Sequence, residues 1–147
     1  MNVIEQIRER LSEKIVSNIE EKTKKRFYLE VAKENIVEVV KVLFIDMKLR
    51  FITSSATDME QYFEILYHFS NDKTGDIISL RTKIDKSTLQ ENQLSEVDSI
   101  TPIITGAEWI EREIWELLGI NFKGHPNLKR LLLSDDWPEG NYPLRQK

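Results

Sequence analysis

At 147 residues the chain is long enough for one domain with a buried core and too short for two. Its 40% apolar and 31% charged residues mark an ordinary folded polypeptide, and no apolar run approaches the length of a membrane-spanning helix. A formal net charge of −4 disfavours nucleic acid and anionic lipid as partners, while the absence of cysteine excludes disulfides, thiol nucleophiles and cysteine-ligated zinc or iron-sulfur clusters.

The first residues place charges where a signal peptide would carry its apolar stretch, so a cytoplasmic chain is expected. Val3, Ile4, Ile7, Leu11, Ile15 and Ile19 recur at helical spacing, which predicts an amphipathic helix over 2–22, ended by Lys22, Thr23, Lys24 and Lys25. Phe27, Leu29 and Val31 alternate as a short strand. Ile36, Val39, Val40, Leu43, Phe44 and Met47 then return to helical spacing. From Leu49 the period is two, through Phe51 and Thr53, then Phe63, Ile65, Tyr67 and Phe69, then Ile78, Leu80, Thr82 and Ile84. Three antiparallel strands are expected, the last two joined at the turn-forming segment Asn71 to Gly75.

Residues 86–100 are polar and weakly patterned and read as a surface connection. Thr105-Gly106-Ala107-Glu108 has the spacing of a capping box, in which hydroxyl and carboxylate satisfy orphan amides. Ala107, Ile110, Ile114, Leu117 and Leu118 supply an apolar face, and Gly119 is placed to stop a helix over about 106–118. An α+β domain over 1–119 is thus expected. Residues 120–147 hold three of the four prolines. They are nevertheless too apolar for a disordered end, and read as an extended docking tail packed on its own domain and on another protein.

Glu111, Glu113 and Glu116 lie on the last predicted helix, and Asp135 and Asp136 in the tail. Acid-base work needs carboxylates converging in a pocket, whereas neighbours on a helix diverge, so the plainer reading is a solvated or salt-bridged face including Arg112. His125, in Gly124-His125-Pro126, suits a proton carrier or, more plainly, a hydrogen-bonded structural residue; His68 reads as a half-exposed sheet residue. Neither a Gly-x-Ser-x-Gly elbow nor a glycine-rich phosphate loop is present. Trp109, Trp115, Trp137, Tyr142, Arg112, Arg130 and Arg145 are residue types that dominate protein interfaces, and all three tryptophans follow residue 105. Trp109 and Trp115 could equally complete the core. Trp137 is harder to bury in so small a domain and reads as an interface residue.

The run Glu111-Arg112-Glu113-Ile114-Trp115-Glu116-Leu117-Leu118-Gly119-Ile120-Asn121-Phe122-Lys123-Gly124-His125-Pro126 resembles the signature of the thirty-kilodalton subunit family of respiratory complex I. The likeness continues through Leu128-Lys129-Arg130 and closes at Tyr142-Pro143-Leu144-Arg145, with Lys129 standing where arginine is common. Trp137-Pro138-Glu139-Gly140-Asn141-Tyr142 looks more like the branch found in membrane-bound, energy-converting nickel-iron hydrogenases and formate hydrogenlyases. The resemblance implies a two-layer α+β domain, its mixed, mostly antiparallel sheet of about four strands carrying helices.

It also implies a non-catalytic accessory subunit, peripheral on the cytoplasmic side of the membrane, without direct insertion. Such a chain would bridge the large catalytic subunit and the iron-sulfur small subunit of a complex coupling ferredoxin-linked proton reduction to ion translocation. The chain would bind no cofactor or metal itself, the nickel-iron centre and iron-sulfur clusters lying in its partners. Partner contacts are expected from Glu111, Arg112, Glu113, Phe122, Gly124, His125, Pro126, Arg130, Trp137, Tyr142, Pro143, Leu144 and Arg145. Among them Glu111, Arg112, Arg130 and Arg145 would act as charge-assisted anchors, and Trp137 and Leu144 would fill apolar pockets. The alternatives are the equivalent subunit of a complex I-type NADH, quinone or sulfur-reducing oxidoreductase, and, more remotely, a stand-alone metal hydrolase using Glu111, Glu113, Asp135 and His125.

Overall fold

A computed structural model describes residues 1–87 and 93–146. Asn2 caps the first helix: its side chain accepts from the Glu5 amide, and the Glu5 carboxylate accepts from the Asn2 amide, each at 2.9 Å. This reciprocal pair satisfies two of the donors that every helix start leaves over. Helix α1 (Val3–Leu11) buries Val3, Ile4, Ile7 and Leu11.

The helix expected over 2–22 is corrected in its second half. Ile15 forms an isolated antiparallel bridge to Val31, and Glu20–Thr23 is a strand, β1. Ile15 and Ile19 still pack against the core, so their spacing satisfies a helix and an edge pairing alike. Lys24 and Lys25 accordingly form the turn into β2 (Arg26–Glu30).

A 3-10 turn at Lys33–Asn35 leads into α2 (Ile36–Lys41), which continues as a wider turn over Val42–Asp46. Strands β3 (Arg50–Asp58), β4 (Tyr62–Asn71) and β5 (Asp76–Asp85) are antiparallel neighbours, as their alternation predicts. The sheet order is β1-β2-β5-β4-β3, with β2 parallel to β5, so the sheet is mixed and mostly antiparallel with five strands rather than about four. Phe63, Ile65, Tyr67 and Phe69 of β4 and Ile78, Leu80 and Ile84 of β5 form one core with α1, α2 and α3. The opposite face carries half-buried Tyr62, Glu64, Leu66 and His68, with Glu64 paired to Arg81 at 3.0 Å. His68 spans three strands, hydrogen-bonding Ser55 at 3.1 Å and Ser79 at 2.9 Å.

β6 (Ser95–Asp98) and β7 (Ile120–Lys123) pair in parallel as a separate ladder, joined through α3 (Glu108–Leu118). Two expectations are corrected here. The 86–100 connection contains a strand, its residues 88–92 lying outside the described ones, and the expected tail begins with another strand rather than with extended chain. Ser-Glu-Val-Asp is too short and polar to show an alternation, and β7 is only four residues long.

The capping box at Thr105 is also corrected. Thr105–Ala107 forms a 3-10 turn feeding directly into α3, Ala107 provides no side-chain cap, and Glu108 instead accepts from the Asn127 side chain at 3.3 Å. The turn supplies its own bond, from the Ala107 amide to the Ile104 carbonyl at 3.0 Å, which removes the need for the box. At the other end Gly119 adopts φ 74° and donates its amide to the Trp115 carbonyl at 2.8 Å, the left-handed stop that the sequence predicts.

Candidate functional site

Helix α3 carries two polar faces that its sequence does not distinguish. Ala107, Glu111, Ile114 and Leu118 follow helical spacing along the buried side, so Glu111 occupies a core position and is 0% exposed. Its carboxylate accepts from the Ser99 hydroxyl at 2.6 Å, the Ile100 amide at 3.1 Å and the Thr101 hydroxyl. Burial pushes its pKa above the usual 4.5, against the opposing pull of those hydrogen bonds and of His125. Tyr67, whose hydroxyl has no partner among the described residues, is pushed well above 10 by burial and by the charges of Glu111 and Asp98.

Arg112 and Glu116 lie on the second face, and residues 129–133 of the tail bond to both. Arg112 Nε donates to the Lys129 carbonyl at 2.9 Å and Nη2 to the Arg130 carbonyl at 2.6 Å. Glu116 accepts from the amides of Leu131, Leu132 and Leu133 at 2.9, 2.8 and 3.3 Å. One guanidinium thus takes the carbonyls of this tail segment, and one carboxylate takes its amides. The solvated or salt-bridged face expected for Glu111, Glu116 and Arg112 is therefore corrected: all three are buried and bond to hydroxyls and backbone, Glu111 because it faces the segment Ser99 to Thr101 in the core, Arg112 and Glu116 because the tail covers them.

The rest of the tail is fastened in the same manner. Arg130 Nη1 donates to the carbonyls of Ser134 and Asp135 at 3.1 and 3.0 Å. Trp137 Nε1 donates to the Asn141 carbonyl at 2.7 Å, and the Leu144 amide to the Leu117 carbonyl at 3.0 Å. Arg145 Nε donates to the Leu118 carbonyl at 2.6 Å while its guanidinium lies 4.7 Å from the Phe63 ring centre. Asp58, at the end of β3, closes the clasp by accepting from the Gln146 amide at 2.7 Å and from the Lys86 ammonium. Sequence reading missed Asp58 and Lys86, 28 residues apart, because neither interrupts a hydrophobic pattern.

These seats leave several large apolar side chains in solvent. Trp109 is 67% exposed, Leu132 63% and Leu144 60%. Of the two readings open for Trp109 its exposure rules out the core one, whereas Trp115 does pack, half-buried, against the core. The family model described as the respiratory-chain NADH dehydrogenase 30 kDa subunit matches residues 29–147. The chain belongs to this family of complex I-like respiratory oxidoreductase subunits. The C subunit of NADH-quinone oxidoreductase from Citrifermentans bemidjiense is 39% identical over 120 residues, which cover 79% of this chain and 70% of that one. The Mesorhizobium japonicum protein of the same name is 33% identical over 80% of this chain and 57% of its own length, so the chain spans little more than half of some relatives. Among solved structures, a chain of the membrane-bound sulfane sulfur reductase, an archaeal respiratory membrane complex, superimposes with a TM-score of 0.82 at 20% identity, covering 97% of this chain and 81% of that one.

The residues that carry the resemblance to the thirty-kilodalton subunit family fall into two groups. Glu111, Arg112, Arg130 and Arg145, expected as anchors to another subunit, make their hydrogen bonds within the chain, and Phe122 is a core residue at 2% exposure. His125 accepts from the Asn127 amide at 3.0 Å, so its other ring nitrogen carries the proton donated to the Glu108 carbonyl at 3.0 Å. This is the structural role expected of it, with Gly124 at φ 82° shaping the loop. Pro126, Pro143 and Leu144 are exposed, while Glu113, Trp137 and Tyr142 are half-buried.

Proposed function

We propose that the chain is a non-catalytic scaffold subunit in the arm outside the membrane of an energy-converting nickel-iron hydrogenase. In this reading it bridges the large catalytic subunit and the iron-sulfur small subunit on the cytoplasmic side, holds no redox centre, and leaves the nickel-iron centre and clusters to its partners. The observation that carries the scaffold role is the tail. Arg112, Glu116, Arg145 and Asp58 fix its backbone from within, and this presents Leu132 and Leu144 outward. A backbone fixed before binding has less entropy to lose when a partner covers the apolar side chains it carries.

The hydrogenase branch is supported by the Trp137-Pro138-Glu139-Gly140 segment. A second reading, the corresponding subunit of an NADH-quinone oxidoreductase, is supported by the 39% identity to a protein of that name. The hydrolase alternative is weaker, because the Glu111 oxygens and both His125 nitrogens are already occupied within the fold. Isolation of the chain with its native partners, followed by nickel analysis and inspection of the large subunit for paired Cys-x-x-Cys motifs, tests the proposal. Nickel and both motifs are expected; a nickel-free complex oxidising NADH would establish the second reading instead.

A further inference from the structure

We propose that the cleft between α3 and the turn over residues 137–142 receives a cationic side chain, lysine or arginine, from a neighbouring subunit. The cleft encloses about 310 Å³ and is lined by Trp115, Trp137 and Tyr142 together with Glu116, Glu139 and Arg130. Its rings are pre-positioned. The Trp137 indole is tied to the Asn141 carbonyl at 2.7 Å, and the Tyr142 ring lies so near Gly119 that a Cβ there would meet it at 2.7 Å.

Aromatic rings attract cations through their quadrupoles, most strongly where water is partly excluded. The charges of the wall select the same ligand. The Glu116 carboxylate is held there by three amides, and Glu139 has neither an ion pair nor a hydrogen bond among the described residues. Arg130, the one cation among the described residues lining the cleft, is turned toward the carbonyls of Ser134 and Asp135 through Nη1 and lies in the field of Asp136. The Tyr142 ring already has the Arg145 guanidinium 5.7 Å from its centre, whereas among the described residues no cation of the chain is bonded to the two indoles or to the Glu139 carboxylate that line the rest of the space. The source of the cation, a partner subunit, rests on the scaffold reading; the chemistry of the cleft does not.

The cleft is tested on the full chain by following the indole N–H resonances of Trp115 and Trp137 during addition of N-acetyl-arginine amide, N-acetyl-lysine amide or the neutral isostere N-acetyl-citrulline amide. Saturable shifts are expected with the cations alone, with affinity reduced about threefold in Glu139→Gln, an exposed substitution that leaves the fold intact. Equal shifts with citrulline amide, or an affinity unchanged in both Glu139→Gln and Trp137→Leu, would overturn the proposal. In the complex, Glu139→Lys places a like charge at the cleft and should lower recovery of the neighbouring subunits; recovery equal to that of the unmodified chain would overturn the assignment to a subunit. Failure of the unmodified chain to recover any subunit would sink the scaffold reading and the source of the cation with it. The resonances of the isolated chain tell that outcome apart from a cleft that binds nothing.

Discussion

Glu111 shows how a single side chain reverses a role assigned from sequence. A carboxylate on a charged helix is ordinarily solvated, yet this one replaces an apolar residue on the buried stripe and fastens the segment Ser99 to Thr101 to α3. Glu111→Ala would strand two hydroxyls and an amide in the core, and a loss of roughly 3 kcal/mol is expected in urea unfolding. Glu111→Gln keeps an acceptor and should cost only about 1 kcal/mol. The two variants also differ in their response to pH. Because burial raises the folded pKa of Glu111, its contribution to stability is fully present below the unfolded value of 4.5 and is lost as pH rises through the folded value. Glu111→Gln should abolish that part of the decline above pH 4.5; an unchanged profile in urea titrations would assign the decline to other groups.

At the scale of elements, Gly119 joins helix, strand and tail. It requires a left-handed backbone, and its missing side chain gives the Tyr142 ring its seat. Gly119→Ala combines backbone strain with a displaced ring, so a cost of about 2 kcal/mol is expected, accompanied by a change in Trp137 fluorescence as the tail shifts. A loss of only a few tenths with unchanged fluorescence would mean that Tyr142 relocates freely. This position was legible in the sequence as a helix stop but not as a tail seat, since a contact between residues so far apart in the chain leaves no local pattern. The same contrast runs through the fold. The long strands β3, β4 and β5 and the hairpin turn at Gly75 could be read directly, because long strands buried on one face must alternate. β1, β6 and β7 could not, being four residues each. The charged residues of α3 and the tail were recognised as important through resemblance, while their inward direction depends on a tail that crosses the helix only after folding.

In the whole molecule, the tail is held by discrete points rather than by a continuous ladder, so the uncomplexed subunit should show an uneven pattern of amide exchange. Ile120–Lys123 belongs to β7 and should be protected in the free chain, as should Leu131, Leu132 and Leu144, whose amides have fixed acceptors. Gly124, Asp135, Glu139 and Gly140, whose amides have no such acceptor among the described residues, should exchange fast when free and slowly in the complex if a partner covers them. Equal exchange in both states would sink the docking role of that surface. Asp58 adds an acid limit to this behaviour. Burial disfavours its carboxylate, but the Lys86 and Gln146 hydrogen bonds and the charges of Lys86 and Arg145 outweigh burial and hold its pKa below 3.8. A depressed carboxylate contributes stability above the unfolded pKa and loses it as pH falls through the folded value. As pH falls from 3.8 toward the depressed folded value the C-terminal clasp should therefore open progressively, exposing the Leu144 amide while β4 and β5 remain protected. Asp58→Asn, which retains an acceptor for Gln146 but not the charge, should show the open clasp already at neutral pH. Protection of Leu144 that survives both acid and this substitution would transfer the fastening of the C-terminal end from Asp58 to Arg145.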